Sequence, residues 1–178
     1  MAVIADILDL ASIEAGRLEL NRDSVDIHGL LVGALNIVQE RSRHKDLRVE
    51  FNCPTDIGWM TADDKRLKQV VFHLLSNAIK FTPQGGKITI SAKTSKKNTT
   101  LKVADTGKGI PAEKLPKLTD PFTRADRDPY LAEQGWGLGL TITKSLVDLH
   151  DGTLDIKSKV GKGTVVTILL PPERTVAK

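Results

Sequence analysis

Apolar residues recur along the chain with two periods, and these predict alternating helices and strands. A spacing near 3.6 residues favours an amphipathic helix, whereas strict alternation favours a strand. The helical spacing appears in residues 4–15, 27–38, 67–78 and 138–149. Alternation appears in residues 47–53, 88–92, 101–105, 154–156 and 166–168, and as a weaker pair at Leu18 and Leu20. This order predicts an α/β fold, a two-layer sandwich in which helices cover one face of a mixed, largely antiparallel sheet.

Polar residues mark where two of these helices begin. Asp26 precedes the second helical pattern, and Asp63 or Asp64 precedes the third, which is the clearest of the four. An aspartate at this position accepts a hydrogen bond from an unpaired N–H of the first turn. Pro83 and the Gly85-Gly86 pair end the third helix. The last four strand patterns predict two hairpins, one on each side of the fourth helix.

The first helical pattern has the spacing of a coiled-coil seam. Ile4, Leu8, Ala11 and Ala15 step by four, three and four residues, and Gly16 ends the helix. A helix this short is not stable by itself. We therefore expect it to pack on the domain or on a partner helix.

Composition narrows the class of protein. The 178 residues suffice for one domain, with 40% hydrophobic and 27% charged residues, as in an ordinary globular protein. The net charge of +4 is spread thinly, which disfavours nucleic-acid binding. Cys53 is the single cysteine, so an intrachain disulfide is excluded and a reducing compartment is favoured. No apolar run is long enough to span a membrane, so we expect no membrane contact and a cytoplasmic location, or the cytosolic portion of a larger sensor.

Four clusters of polar residues and glycines interrupt this pattern, the first of them on the third helix. Asn77 and Lys80 lie three residues apart, on the side away from the apolar stripe. An amide oxygen can ligate Mg²⁺ beside phosphates, and a lysine can bind a phosphate oxygen. The alternative is an ordinary solvated helix face.

The second cluster, DTGKGI, follows an apolar strand. Asp105 ends the strand, and Gly107 and Gly109 form the turn after it. A carboxylate can accept a hydrogen bond from the exocyclic amine of a purine, and glycines allow a base to approach the backbone. An Asx turn would produce the same pattern.

The third cluster is GWGLGL, with glycines at 135, 137 and 139. Leu140 stands where the dinucleotide-binding fingerprint would require its third glycine, so a Rossmann site is excluded. A glycine-rich loop that opens into a helix instead predicts a phosphate site made of unpaired N–H groups. The fourth cluster, GKGT at residues 161–164, has the composition of a hairpin turn.

The order of these clusters resembles the catalytic, ATP-binding domain of sensor histidine kinases, within the group that includes gyrase, Hsp90 and MutL. DDKRLKQVVFHLLSNAIKFTP resembles the N box of that family, and DPF resembles its F box. DTGKGI, GWGLGL and GKGT resemble its three glycine boxes. The resemblance extends from about Ile4 to Pro171 and implies the Bergerat-type ATP-binding fold.

The resemblance also implies ATP and Mg²⁺ as ligands and assigns roles to individual residues. Asn77 would hold Mg²⁺, Lys80 would contact phosphate, and Asp105 would bind the adenine amine. A lid over the nucleotide would lie between Phe122 and Gly135. The catalytic positions would be Asn77, Lys80 and His73, and the nucleotide-binding positions would be Asn77, Lys80, Asp105, Gly107, Gly109, Phe122, Gly135, Gly137, Leu138, Gly139 and Thr164.

The same resemblance divides the chain and implies partners. Residues 1–17 resemble the end of the second helix of a dimerisation domain, residues 18–172 the catalytic domain, and residues 173–178 a tail. The expected partners are the dimerisation domain that carries the phosphoacceptor histidine, a second copy in a full-length homodimer, and a response regulator. None of the four histidines has the sequence context of a phosphoacceptor, so autophosphorylation of this chain is not expected.

Three positions depart from the pattern of the family. His73 stands where histidine kinases usually have asparagine and where ATP-hydrolysing relatives have a general-base glutamate, which disfavours gyrase-like hydrolysis. Thr119 replaces the first phenylalanine of the F box. Trp136 replaces a small residue, and we expect its indole to point outward or to pack on the lid. The leading hypothesis is a histidine kinase catalytic domain, and the first alternative is a pseudokinase that keeps the fold with weak or no catalysis. The remaining alternatives are a gyrase-type ATPase, which His73 disfavours, and a serine kinase that acts on a protein partner.

Overall fold

The computed structural model describes residues 2–121 and 137–172 and confirms the α/β fold. The helices are α1 (Ala2–Glu14), α2 (Ile27–His44), α3 (Asp64–Phe81) and α4 (Gly139–Leu149), with a short 3₁₀ helix at Ala112–Lys117. The strands are β1 (Asp23–Asp26), β2 (Arg48–Asn52), β3 (Trp59–Ala62), β4 (Lys87–Thr94), β5 (Thr99–Asp105), β6 (Thr153–Lys159) and β7 (Gly163–Leu170).

Five of the strands form one sheet in the order β2-β4-β5-β7-β6. Strand β2 runs parallel to β4, and every other pairing in this sheet is antiparallel. The sheet is therefore mixed and largely antiparallel, and both expected hairpins, β4–β5 and β6–β7, are present.

A separate two-stranded ribbon pairs β1 with β3, and here the prediction was wrong. A strand was predicted at Leu18 and Leu20, whereas the strand begins at Asp23, and β3 was not predicted. Leu18 packs against the core without joining a sheet. The strands of the ribbon are four residues long, which is too short for alternation to identify them.

The hydrophobic core lies between the helices and one face of the large sheet. Alternate residues of β4, namely Ile88, Ile90 and Ala92, are buried, and their neighbours are more exposed. The stripe of α3 that meets this face comprises Leu67, Val70, Val71, Leu74, Leu75, Ala78 and Ile79. Burial of a large aliphatic side chain stabilises the fold by about 1.5–3 kcal/mol, so the stripe fixes which face of α3 points away from the sheet.

Capping contacts set both ends of α3. Asp63, rather than Asp64, is the N-cap, and its Oδ1 accepts a hydrogen bond from Arg66 N at 3.0 Å. At the other end the Lys45 ammonium donates to three main-chain carbonyl groups that the helix leaves unpaired. These carbonyls belong to Ile79, Lys80 and Thr82, at 2.8, 2.9 and 2.8 Å. Lys45 thereby holds the turn of α3 that carries Lys80.

Helix α1 packs on the domain with one face and exposes the other. Leu10 is buried, and Asp9 accepts hydrogen bonds from Arg66 Nη1 at 2.9 Å and from Gln69 Nε2 at 2.8 Å. The coiled-coil seam faces away from the domain, as the exposure of Ile4 (66%) and Leu8 (62%) shows. The expected contact with the domain is therefore confirmed, and it uses residues outside the seam.

Candidate functional site

Asp105 ends β5 at a point where the core face of the sheet becomes polar. It lies opposite Thr164 of β7, and Thr164 lies opposite Ser158 of β6. The Asp105 Oδ1 atom accepts hydrogen bonds from Gly107 N at 2.8 Å and from Thr164 N at 3.2 Å. Both donors bind Oδ1, so within residues 2–121 and 137–172 the second oxygen, Oδ2, is left as an acceptor for a ligand.

The partly buried environment of the Asp105 carboxyl group disfavours its ionised form. Burial raises the pKa of Asp105, and the hydrogen bonds from Gly107 and Thr164 act in the opposite direction. A half-buried carboxylate that keeps two backbone donors is well suited to accept a further hydrogen bond from a neutral amine.

Ser158 was missed by the sequence analysis. Its Oγ accepts from Ile110 N at 2.8 Å, donates to Gly163 O at 2.9 Å and lies 2.9 Å from Thr164 Oγ1. The residue thus ties the turn after Asp105 to the β6–β7 hairpin. The available signal was the alternation of Leu154 and Ile156, which places residue 158 on the same face.

Three glycines of the DTGKGI and GKGT clusters, namely Gly107, Gly109 and Gly163, lie against the backbone of neighbouring segments. A Cβ on Gly109, where φ is +71°, would lie 2.0 Å from Lys159 O. A Cβ on Gly163, where φ is +102°, would lie 1.9 Å from Asp105 O, and one on Gly107 would lie 2.6 Å from Phe81 O. Gly107 and Gly109 were predicted from the approach of a base, and the structure supplies a second reason for glycine there, because the chain itself fills the space that a Cβ would occupy. GKGT is a hairpin turn, as expected, and it also packs on DTGKGI.

The Asn77 and Lys80 side chains lie on the face of α3 away from the apolar stripe, and both residues are half-buried. The Lys80 ammonium lies 4.9 Å from the centre of the Phe81 ring, and the Lys108 ammonium lies 5.2 Å from the same centre. Two cations therefore flank one ring where α3 meets the turn after Asp105. Lys108 was not among the predicted site residues, although it lies within DTGKGI.

His73 joins α3 to two other helices. Its Nε2 lies 3.6 Å from Asp6 Oδ1 of α1, and its Nδ1 is buried with no hydrogen-bond partner among the described residues. A Cβ on Gly139 would lie 3.6 Å from His73 Cγ, which places the imidazole beside the start of α4. The His73 and Gly139 positions are therefore adjacent, one turn of α3 before Asn77.

Within the part of the chain that the structure describes, no side chain caps the first turn of α4. Leu138 occupies the N-cap position and has no side-chain oxygen to accept from the N–H groups. Its side chain is buried in the core, so a ligand could meet only its backbone. Gly137 has φ of +74°, a conformation that favours glycine. The predicted site residues Phe122 and Gly135, and also Trp136, lie outside the described residues.

The residues present fit a nucleotide with Mg²⁺. Within the described ranges no three acidic, histidine or cysteine residues lie close enough to hold a metal ion by themselves. Mg²⁺ beside a nucleotide needs few protein ligands, because phosphate oxygens and water complete its octahedron. One amide oxygen from Asn77 would be a sufficient protein contribution, and the first N–H groups of α4, which no described side chain caps, would be suitable donors for phosphate.

Fold and site together define an ATP-binding domain of the histidine kinase type, and comparison with known proteins agrees. Residues 62–174 match the family described as histidine kinase-, DNA gyrase B- and HSP90-like ATPase. The chain belongs to this family.

Its relatives include histidine kinases. The chain is 37% identical to the histidine protein kinase DivJ of Caulobacter vibrioides, over 95% of this chain and 28% of that protein. It is 38% identical to the non-motile and phage-resistance protein of the same bacterium, over 96% of this chain and 21% of the relative. The chain thus spans less than a third of the length of each of these two relatives.

Solved structures show the same likeness. The catalytic domain of histidine kinase ThkA matches with a TM-score of 0.76 and 26% identity, over 86% of this chain and 97% of that one. Full-length ShkA in complex with AMPPNP matches with a TM-score of 0.84 and 26% identity, over 99% of this chain and 36% of that one. The chain is a catalytic, ATP-binding domain of the histidine kinase type, and nothing in the comparisons favours the pseudokinase alternative.

Among residues 2–121 and 137–172, none of the helices has the length and apolar character needed to cross a lipid bilayer.

Proposed function

We propose that this chain binds ATP with Mg²⁺ and transfers the γ-phosphoryl group to a histidine on a dimerisation domain. The observation that carries the proposal is the Asp105 carboxylate, which two backbone N–H groups hold through Oδ1 at the polar end of the core. Its other oxygen would accept a hydrogen bond from the amine of adenine. The family to which residues 62–174 belong supports this assignment.

We propose the remaining contacts with Mg²⁺ and the phosphates from the positions of Asn77, Lys80 and the start of α4. Asn77 would supply an amide oxygen to Mg²⁺, and Lys80 would contact a phosphate oxygen. The first N–H groups of α4 would also bind the phosphates, because no described side chain caps them. Bound Mg²⁺ would neutralise charge on the phosphate oxygens.

The transfer itself needs positioning and charge stabilisation more than covalent chemistry from the protein. An imidazole nitrogen of the acceptor histidine forms a bond to the γ-phosphorus, and the bond to the bridging oxygen of ADP breaks. Lys80 and the α4 N–H groups would hold the phosphate oxygens in line. The acceptor would come from the dimerisation domain, whose second helix we propose to end in α1.

Helix α1 supports this division of the chain. One face is anchored to the domain through Leu10 and Asp9, whereas Ile4 and Leu8 are exposed at coiled-coil spacing. We propose that this exposed seam belongs to the helical bundle of a homodimer and that a response regulator receives the phosphoryl group. Because the proposed substrate is ATP, the domain would work in the cytoplasm, where ATP is supplied.

Calorimetric titration of the purified chain with AMPPNP, with and without Mg²⁺, tests the nucleotide site. We expect binding that strengthens when Mg²⁺ is present. Absence of binding at millimolar nucleotide would contradict the proposal and favour the pseudokinase alternative. If binding is found, transfer from radiolabelled ATP to an added dimerisation domain that carries a phosphoacceptor histidine tests the second half of the proposal.

A further inference from the structure

A row of three polar residues crosses three adjacent strands where the core face of the sheet ends. Asp105, Thr164 and Ser158 face one another across β5, β7 and β6. The preceding row on the same face, Val103, Val166 and Ile156, is apolar and packs in the core. A polar row at the edge of an apolar layer can contact a flat ligand with one set of hydrogen-bonding groups.

The directions in which the Ser158 and Thr164 hydroxyl protons point can be assigned from the hydrogen-bond partners of Ser158. Ser158 Oγ contacts Ile110 N, Gly163 O and Thr164 Oγ1 at 2.8, 2.9 and 2.9 Å. The amide can only donate and the carbonyl can only accept, so the single Ser158 proton goes to Gly163 O. All three contacts are then hydrogen bonds only if Thr164 donates its own proton to Ser158.

This assignment fixes what the row offers to a ligand. With its proton committed to Ser158, the Thr164 hydroxyl can only accept. The backbone N–H of Thr164 is also committed, because it donates to Asp105 Oδ1 at 3.2 Å. Asp105, when ionised, can only accept as well. The row therefore presents acceptors to an incoming base and withholds the hydroxyl proton that a carbonyl group would need.

We propose that Ser158 is a specificity-determining residue, which selects a purine with an exocyclic amine over one with an exocyclic carbonyl by holding the Thr164 proton. The inference rests on the proposed function, since it takes the base to lie at Asp105 and Thr164. Asp105 favours the amine directly. Ser158 adds to the selection by removing the nearest hydroxyl donor that could serve the carbonyl.

Removal of the Ser158 hydroxyl should relax this selection. In Ser158→Ala the Thr164 hydroxyl loses its acceptor and can turn its proton toward the ligand. ITP is the suitable probe, because it carries a carbonyl in place of the amine of ATP and lacks the additional amine of GTP. We expect the ratio of the ITP dissociation constant to the ATP dissociation constant to fall by about three- to tenfold, the value of one neutral hydrogen bond.

Three further variants isolate the cause. Ser158→Thr retains a hydroxyl at the same position and should keep the wild-type ratio. Thr164→Val removes the hydroxyl proton while the backbone N–H to Asp105 remains, so the double variant Ser158→Ala/Thr164→Val should lose the gain in ITP binding. Ser158→Cys, whose thiol is a poor acceptor, replaces Ser158→Ala if that variant does not fold.

Calorimetric dissociation constants for ATP and ITP, together with urea unfolding of each variant, decide between the outcomes. An unchanged ratio in folded Ser158→Ala, or the same gain in the double variant, overturns the role of Ser158 while leaving an ATP site in place. A wild-type chain that binds neither nucleotide overturns the proposed function instead.

Discussion

Replacement of Asp105 by asparagine separates the role of its charge from its role in the fold. The two side chains have nearly the same shape, so Oδ1 can still accept from Gly107 N and Thr164 N, which are at 2.8 and 3.2 Å. The atom at the Oδ2 position becomes an NH₂ group. It would then face the adenine amine, so that two donors meet and the hydrogen bond is lost.

The expected effects of Asp105→Asn on ATP affinity and on the free energy of unfolding differ in size. A hydrogen bond to a charged group contributes about 1.5–3 kcal/mol, so Asp105→Asn should weaken ATP binding about tenfold to a hundredfold. Stability should change much less. Burial raises the pKa of Asp105, which means that the fold disfavours the carboxylate, and the neutral amide avoids this cost. The weaker bonds from the two N–H groups offset that gain, and we expect the free energy of unfolding to change by less than about 1 kcal/mol.

The assay is calorimetric titration with AMPPNP and Mg²⁺, paired with urea unfolding of the same samples. Asp155→Asn is the matched control, because Asp155 lies on β6 with an exposed side chain on the opposite face of the sheet. It makes the same change in charge without touching the site. Unchanged affinity in Asp105→Asn, or an equal loss in the control, would refute the assignment of the adenine site.

Three further predictions test other parts of the site and the fold. Asn77→Ala should weaken AMPPNP binding mainly when Mg²⁺ is present; an equal loss without the metal in calorimetry would indicate a structural role. Gly109→Ala should lower the free energy of unfolding in urea by more than about 1 kcal/mol, because its Cβ would lie 2.0 Å from Lys159 O at a φ of +71°; an unchanged midpoint contradicts this. Burial lowers the pKa of His150, whose Nε2 accepts from Asp63 N at 3.1 Å. The unfolded chain then binds the proton more tightly, so the free energy of unfolding should fall as the pH drops below about 6.5, and His150→Gln should flatten that part of the urea–pH profile.

Features that depend on neighbours in the chain could be predicted from the sequence. The caps were predicted at Asp26 and at Asp63 or Asp64, because a cap and its partner are two or three residues apart. Both large hairpins were predicted from alternation interrupted by turn residues. The order of the glycine clusters and of Asn77 and Lys80 was enough to indicate the family, which the match over residues 62–174 confirms.

Other features depend on residues that only the tertiary structure brings together. Ser158 meets Ile110 across 48 positions, Lys45 meets the end of α3 across 34 to 37, and Asp6 meets His73 across 67. No local pattern specifies such pairs, because sheet register and helix packing decide them. Leu18 and Leu20 show the converse, since their alternation suggested a strand but no partner strand pairs with them. The sequence by itself thus determined the four α-helices, the five strands of the large sheet, their order and the chemistry available. The strand pairing decided which donors and acceptors meet, and with them what the row of Asp105, Thr164 and Ser158 can offer a ligand.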